Sequence, residues 1–383
     1  MPNTKSLPDF ARLPFDSAAM AAGLKRWVEQ ESPTFDRDAV NRMMDMAARE
    51  LSVMGAEVQR IPGHMGFGDC VKGRFAEKHH SGPGILILGH LDTVHPVGTL
   101  NELPWRVEGD RCYGPGALDM KSGNYLALEA IRQLQRIGFV PSLPVTVLFT
   151  SDEEVGSPST RSLIEAEAAR HKYVLVPEPA RRNGGVVTGR YAIARFTLTV
   201  RGRPSHAGLR LSEGASAIRE MARQILAIEA MTDEEIGFNV GVIRGGQWAN
   251  CVATTCHAEV LASATTDEKL GEAIRRIHSL SPVGADVSVQ VETGVIRPVW
   301  TRNDASWQLY EHASGLAKSL GFDIPHQNSG GGSDGNFTGA MSIPTLDGLG
   351  ARGDGPHTLD EHIITESLAE RGRLMAGLLA TLD

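Results

Sequence analysis

Basic charge is in short supply along this chain. Its 383 residues carry 38 Lys and Arg against 46 Asp and Glu, for a formal net charge of −8 at pH 7. A phosphate-binding protein needs a basic face, so nucleic acid is not expected as a partner. Cysteine is scarce too. Cys70, Cys112, Cys251 and Cys256 are scattered, with no CxxC. That pattern excludes a disulfide frame and a thiolate metal site and predicts free, mostly buried thiols in a reducing compartment. No apolar run approaches the roughly 18 residues of a membrane span, so no membrane association is expected. The first residues, MPNTKSLPDFARLPF, have neither the basic start nor the apolar core of a signal peptide, and the expected location is cytoplasmic. Repeats and low-complexity tracts are missing as well; the one conspicuous glycine cluster, 330–332, is short. What the chain does have is 41% hydrophobic and 22% charged residues, enough to bury a sizeable core. Its length suits about two domains of roughly 150 residues each.

The first half alternates helical and strand patterns. Segments 16–30 and 36–54 are amphipathic at helical spacing. GPGILILGHLDTV (82–94) holds four consecutive aliphatics, Ile85 to Leu88, as in a strand buried on both faces of a helix-covered parallel sheet. A helix over 123–136 follows, then buried strands in 143–154 and 173–179. Each apolar run ends in histidine or acidic residues at its C-terminal side, where open α/β sheets gather their ligand-binding groups. After Gly189 the order becomes β-α-β-β-α-β, read as a small ferredoxin-like α+β unit. The covered-sheet texture then returns, with helices over 306–319 and 362–381. The predicted fold is α/β: a catalytic domain (1–189 and 302–383) with a mostly parallel sheet covered by helices, interrupted by a smaller α+β domain (190–301).

Five elements carry candidate chemistry, and each alone has an ordinary reading. His90 and Asp92 end a buried strand; residues two apart face the same side, so Asp92 can orient the His90 ring, yet a satisfied loop histidine would look the same. Asp119, ahead of a helix, equally suits an N-cap. The run Asp152-Glu153-Glu154 repels itself unless cations neutralise it or it sits in a solvated turn. Glu178, in VLVPEP, is weak alone. His357 lies in GPHTLDE near the C-terminal end. Together they put two histidines and at least three carboxylates at predicted strand ends and loops of one sheet edge. Imidazole and carboxylate without thiolate suit zinc in a catalytic setting, with cobalt or manganese as alternatives. A carboxylate bridging two cations would make a two-metal hydrolytic site, and the extra glutamate could take a proton from water.

GHLDTV, GPGALDMKSG, SDEEVGS, PEP, SHAG, GGGSD and the His357 segment, in this order over residues 89–361, resemble the di-zinc aminoacylase/carboxypeptidase family, which includes glutamate carboxypeptidase, acetylornithine deacetylase and succinyl-diaminopimelate desuccinylase. The resemblance implies that His90 and Glu178 ligate one metal, that Glu154 and His357 ligate the other, and that Asp119, followed by a cis peptide bond, bridges them. It makes Glu153 the general base and Asp92 the partner of His90. By the same likeness, His206 stabilises the developing oxyanion from the partner subunit of a homodimer, and the insert serves as dimerisation and lid domain. Asn250, Arg297, Gly331 and Gly332 would bind a small-molecule substrate through its free carboxylate. The implied reaction is cleavage of an amide next to that carboxylate by metal-activated water. The family commonly has Asp-x-Arg on the insert strand, where this chain reads Glu259-Val260-Leu261, and GPG replaces the more usual GRG at 114–116. Loss of that arginine keeps open a different C–N bond, in an aromatic amine or an ureido compound, and the Arg181-Arg182 pair is available to compensate. A non-catalytic metal-binding scaffold is the remaining alternative from another class.

Overall fold

The computed structural model describes residues 7–75 and 82–383. They divide into two compact units, Met1–Gly189 with Thr301–Asn328 and Ser333–Asp383, and Arg190–Trp300 with Ser329–Gly332. The four residues 329–332, expected within the larger domain, cluster with the smaller unit. Arg190 Nη1 donates to the carbonyls of Gly331 (2.8 Å) and Gly332 (3.2 Å), and Tyr191 N donates to Ser329 O (2.9 Å).

The larger unit is built on an eight-stranded sheet in the order Glu57–Ile61, Cys70–Phe75, Val145–Thr150, Gly84–His90, His171–Val176, Thr345–Asp347, Val186–Arg190, His326–Ser329. Its four middle strands are parallel. The Glu57–Ile61, Cys70–Phe75 and Val186–Arg190 pairings are antiparallel, so the sheet is mixed where a mostly parallel one was expected. The first two strands are joined by a short connection, which permits antiparallel pairing and leaves no length for a crossover helix. Every residue of Gly84–His90 is buried. Ile85 and Ile87 enter one core with Trp27, Leu126 and Leu378, while Leu86 and Leu88 enter another with Ile164 and Phe337. That alternation is the period of two expected of a strand covered on both faces.

The first helices lie close to their expected spans, Ser17–Glu29 and Arg37–Val53. Asp16 and Asp36 cap them by accepting from backbone N–H groups of the first turn. The final helix begins at Glu366, not at 362. Residues His362–Ile364 instead form a strand in a second sheet with Gly353–Asp354, Arg111–Tyr113 and Arg106–Glu108. This unforeseen sheet fastens the segment after His357 to the one before Asp119.

The smaller unit runs Ala192–Arg201, helix Ala217–Glu229, Ile236–Gly245, Thr255–Ala264, helix Asp267–His278, Ser288–Arg297. All its strand pairs are antiparallel, with the third and first strands in the middle of the sheet, which is the ferredoxin-like arrangement. Phe196, Leu198 and Val200 point into a core with Met221, Ile228 and Ile277 of the two helices, and Thr197 and Arg201 are exposed. Among the described residues, no helix is long and apolar enough to cross a membrane.

Candidate metal centre

The parallel strands of the larger unit end at one edge of the sheet, and their ends carry the polar groups. His90 is the last residue of its strand, Glu153 and Glu154 form a single turn just after Thr150, and Glu178 follows Val176 by two residues. Asp119 lies in an irregular turn before helix Ser122–Arg136; it does not cap that helix, which starts without a side-chain cap. The Asp119–Met120 peptide bond is cis. His357 has a left-handed backbone (φ 64°), which is uncommon for a residue with a side chain.

These five side chains converge. Asp119 turns one oxygen to His90 Nε2 (3.2 Å) and the other to His357 Nε2 (3.2 Å). Glu178 stands 3.7 Å from His90 Nε2, and Glu154 stands 3.2 Å from His357 Nε2. Glu153, 3.8 Å from His90, is buried beside them. Two overlapping groups, His90/Asp119/Glu154 and His90/Glu153/Glu178, have donor atoms all within 4.8 Å of one another and could hold a metal ion. A solvated acidic turn is thereby ruled out for Glu153 and Glu154. The third acid of the run, Asp152, turns away and accepts from Ser159 N (2.6 Å) and Thr160 Oγ1 (2.5 Å).

Burial and mutual repulsion dominate the electrostatics. Burial, then the charge of Asp119, pushes Glu154 up to about 7 and Glu178 well above the usual carboxylate range. Burial opposes ionisation of Asp119 too, but its bonds to His357 and His90 outweigh that and hold it below its ordinary value. His357 is raised to about 11 by its bonds to Asp119 and Glu154. For His90, burial works against the charged ring, and Asp119 and Asp92 overcome it. Carboxylates so placed need positive charge, whether protons or cations. Oxygen and imidazole donors without sulfur fit a hard or borderline divalent ion.

Asp92 partners the His90 ring, as expected, and does a second job besides. His90 Nδ1 donates to the Asp92 backbone carbonyl (2.9 Å), and the carboxylate is farther, at 3.5 Å. With Nδ1 so engaged, Nε2 is the ring nitrogen that faces the cluster. The Asp92 carboxylate accepts from Glu153 N and Glu154 N (3.2 Å each) and from Thr34 Oγ1 (2.8 Å), so it pins the turn that carries the glutamate pair. A second positioning residue, Glu361, went unassigned in the sequence. Fully buried, it accepts from the backbone N–H groups of Gly116 (3.0 Å), Leu118 (2.8 Å) and Asp119 (3.0 Å), and it bonds His95 Nε2 (2.7 Å). Its only sequence signal was its place four residues after His357.

Within the smaller unit, His206 and Asn250 are exposed on adjacent segments: Ala207 N donates to Asn250 O (2.9 Å), and His206 bridges to Cys251. Cys251 is exposed, unlike the other three cysteines. Arg297 is buried against Gly332, where an added Cβ would come within 2.9 Å of its guanidinium. Arg190, overlooked in the sequence, holds the carbonyls of Gly331 and Gly332. Leu261 lies directly opposite Arg195 on the neighbouring strand, so a guanidinium is present next to the position where the family's arginine is missing. Arg182, the other candidate substitute, pairs with Asp354 at 3.0 Å.

A buried histidine–carboxylate cluster at the strand ends of an α/β sheet, in a chain that also carries a ferredoxin-like unit, agrees with the class that the comparisons give, a metal-dependent hydrolase. The chain belongs to peptidase family M20/M25/M40, which it matches over residues 86–381. It is 28% identical to carboxypeptidase G2 of Pseudomonas sp. (strain RS-16), covering 95% of this chain and 89% of that protein. It is 32% identical to acetylornithine deacetylase of Myxococcus xanthus over 47% of this chain and 50% of that one. In fold it resembles the dipeptidase Dug1p of Saccharomyces cerevisiae (TM-score 0.77, 14% identity, 97% of each chain). A metallo-carboxypeptidase of Sulfolobus solfataricus is similar as well (TM-score 0.75, 14% identity, 94% of this chain and 98% of that one).

Proposed function

We propose that the protein is a two-metal amidohydrolase of the carboxypeptidase or deacylase kind, cleaving the amide bond next to a free carboxylate in a small N-acyl amino acid or C-terminal glutamate conjugate. The observation that carries this is Asp119, whose two oxygens each face a different histidine at 3.2 Å, as a bridging carboxylate requires. His90 and Glu178 would hold one cation, His357 and Glu154 the other, with zinc favoured by the donor set and cobalt or manganese as substitutes. When bound, the cations supply Lewis acidity to the substrate carbonyl and acidify water.

Glu153 takes the proton of the attacking water and returns it to the leaving amine nitrogen. Asp92 holds Glu153 in place through its backbone. His206 donates a hydrogen bond to the oxyanion that develops as the carbonyl is attacked. Arg297 and the amides of Gly331 and Gly332 clamp the substrate carboxylate, with Asn250 as a further polar contact. The protein works as a cytoplasmic homodimer whose insert, residues 190–301, dimerises and closes over the substrate.

The test is a hydrolysis screen of N-acyl amino acids, dipeptides and glutamate conjugates with zinc, cobalt or manganese. Ureido compounds and aromatic amines form the second arm, because Leu261 stands where the family has arginine. Expected are turnover of carboxylate-bearing amides, loss of turnover with a chelator, and none with the matching carboxamides. Turnover confined to the second arm would replace the amide reading.

A further inference from the structure

Arg371, on the final helix Glu366–Thr381, is wholly buried and forms no ion pair among the described residues. Most of what that helix buries is apolar, Leu368, Leu374 and Leu378 among it. A buried charge without a counter-ion is costly, and an apolar side chain of similar volume usually serves the core at least as well. Burial pushes the guanidinium down to about 10, which still leaves it charged at neutral pH. What it bonds is backbone. Nη2 donates to Gly348 O (2.7 Å) and Nε donates to Gly350 O (3.1 Å), while Nη1 has no partner among the described residues.

Those two carbonyls belong to a segment that carries a parallel ladder past its strand ends. Strand Thr345–Asp347 pairs with His171–Val176. Beyond them, Leu349 N donates to Val176 O (3.2 Å), Gly350 N to Glu178 O (2.8 Å) and Ala180 N to Ala351 O (3.0 Å). Gly350 therefore joins two partners: its N–H holds Glu178, and its carbonyl is held by Arg371. The fit leaves no slack. A Cβ on Gly350 would stand 2.4 Å from Pro177 O and 2.7 Å from Glu178 O, and one on Gly123 would stand 1.7 Å from Pro177 O. Glycine at both places lets two backbone segments close on the one that carries Glu178.

We infer that Arg371 is a positioning residue for Glu178: the guanidinium fixes the Gly348–Gly350 turn, and that turn fixes the backbone from which the Glu178 carboxylate reaches His90. Gly348 has a left-handed backbone (φ 74°), so the turn is sharp where the guanidinium meets it. A planar fork with donors on separate nitrogens spans two carbonyls at once, which a single ammonium does less well. The inference rests on the two-metal reading and adds to it a residue that acts on one cation only, the one assigned to His90 and Glu178. Arg371 touches neither Glu154 nor His357, so the other cation does not depend on it.

The test removes zinc stepwise from the loaded protein with a competing chelator and follows the bound metal by elemental analysis. The wild type should release two equivalents, and Glu178→Ala marks which of them belongs to His90 and Glu178. In Arg371→Met that same equivalent should be held about 10- to 100-fold more weakly, with the other unchanged. Arg371→Lys should fall between wild type and Arg371→Met. Leu374→Ala, which empties volume on the same helix, should lower the thermal midpoint without changing the ratio of the two affinities. Unchanged affinities in Arg371→Met, a loss at the other equivalent, or the same selective loss in Leu374→Ala overturns the proposal while the two-metal reading stands. If Arg371→Met does not fold, Arg371→Lys decides: a selective loss keeps the role, and unchanged affinities refute it. A wild type with a single equivalent ends the two-metal reading; weakening of that equivalent by Arg371→Met but not by Leu374→Ala then keeps the positioning role. A wild type that holds no zinc refutes both.

Discussion

The two units handle their polar residues in opposite ways. In the larger one, His90, Asp92, Glu153 and Glu178 are buried at the ends of strands that are themselves packed on both faces. In the smaller one, His206 and Asn250 sit in the open, on turns held by a few backbone bonds. Buried ionisable groups hold each other through strong, short-range electrostatics and tolerate little change. Exposed ones are screened and free to meet something else. On the proposed reading, the large unit supplies the buried part of the chemistry and the small unit the exposed part.

The sharpest way to break that contrast is Asp119→Ala. It removes the group between both histidines, and kcat should fall by roughly 10³-fold or more, with loss of bound metal measured by elemental analysis. Near-normal metal content would show that Asp119 is not the bridge. Glu153→Gln should lower kcat by about 10²- to 10⁴-fold with metal content unchanged, because only the proton transfer is lost. Metal lost in step with activity would instead make Glu153 a ligand, as its place in the His90/Glu178 group allows.

His206→Ala should cost about 10²- to 10³-fold in kcat with metal content again unchanged. Mixing His206→Ala with Glu153→Gln subunits sharpens this. Recovered activity after subunit exchange means that His206 serves the partner's site; a dead mixture means that it serves its own. Glu361→Ala should weaken metal affinity by about 10- to 100-fold, the scale of a lost ligand-orienting contact.

An effect of similar size, on stability and not on activity, belongs to the small unit's interior. Buried Glu220 accepts from Val283 N (2.8 Å), Gly284 N (3.0 Å) and Gln224 (2.7 Å). Burial opposes its charge, but these bonds hold it below its ordinary value of 4.5. A lowered folded-state value stabilises above the unfolded one and is lost as pH falls through the folded one. Glu220→Ala should thus cost about 1.5–3 kcal/mol at neutral pH, read by thermal or denaturant unfolding, with the deficit shrinking below about pH 4.

Much of the centre was legible because it is carried by local pattern. An aliphatic run ending in His90-Leu91-Asp92, and others ending in the glutamate pair and Glu178, announce strand ends of a covered sheet. The flanking strands were not legible: Glu57–Ile61 is EVQRI, half polar and only partly buried, and it exists because Cys70–Phe75 pairs with it. The sheet containing His362–Ile364 is likewise a product of long-range pairing, as strand propensity depends on context. Glu361 and Arg190 escaped notice because most of their partners are backbone groups, which no side-chain pattern reports. Asp92 was assigned correctly to His90's neighbourhood, but its carboxylate answers to peptide N–H groups 61 and 62 residues away.

Glu361 also closes a long loop of chain. It accepts the amide of Asp119 across 242 residues, and His357 comes just before it. The strands that carry His90, Glu154 and Glu178 all precede the insert, so the Asp119 loop is clamped by a segment on the far side of it. A chain cut before His357 would lack both that histidine and the clamp.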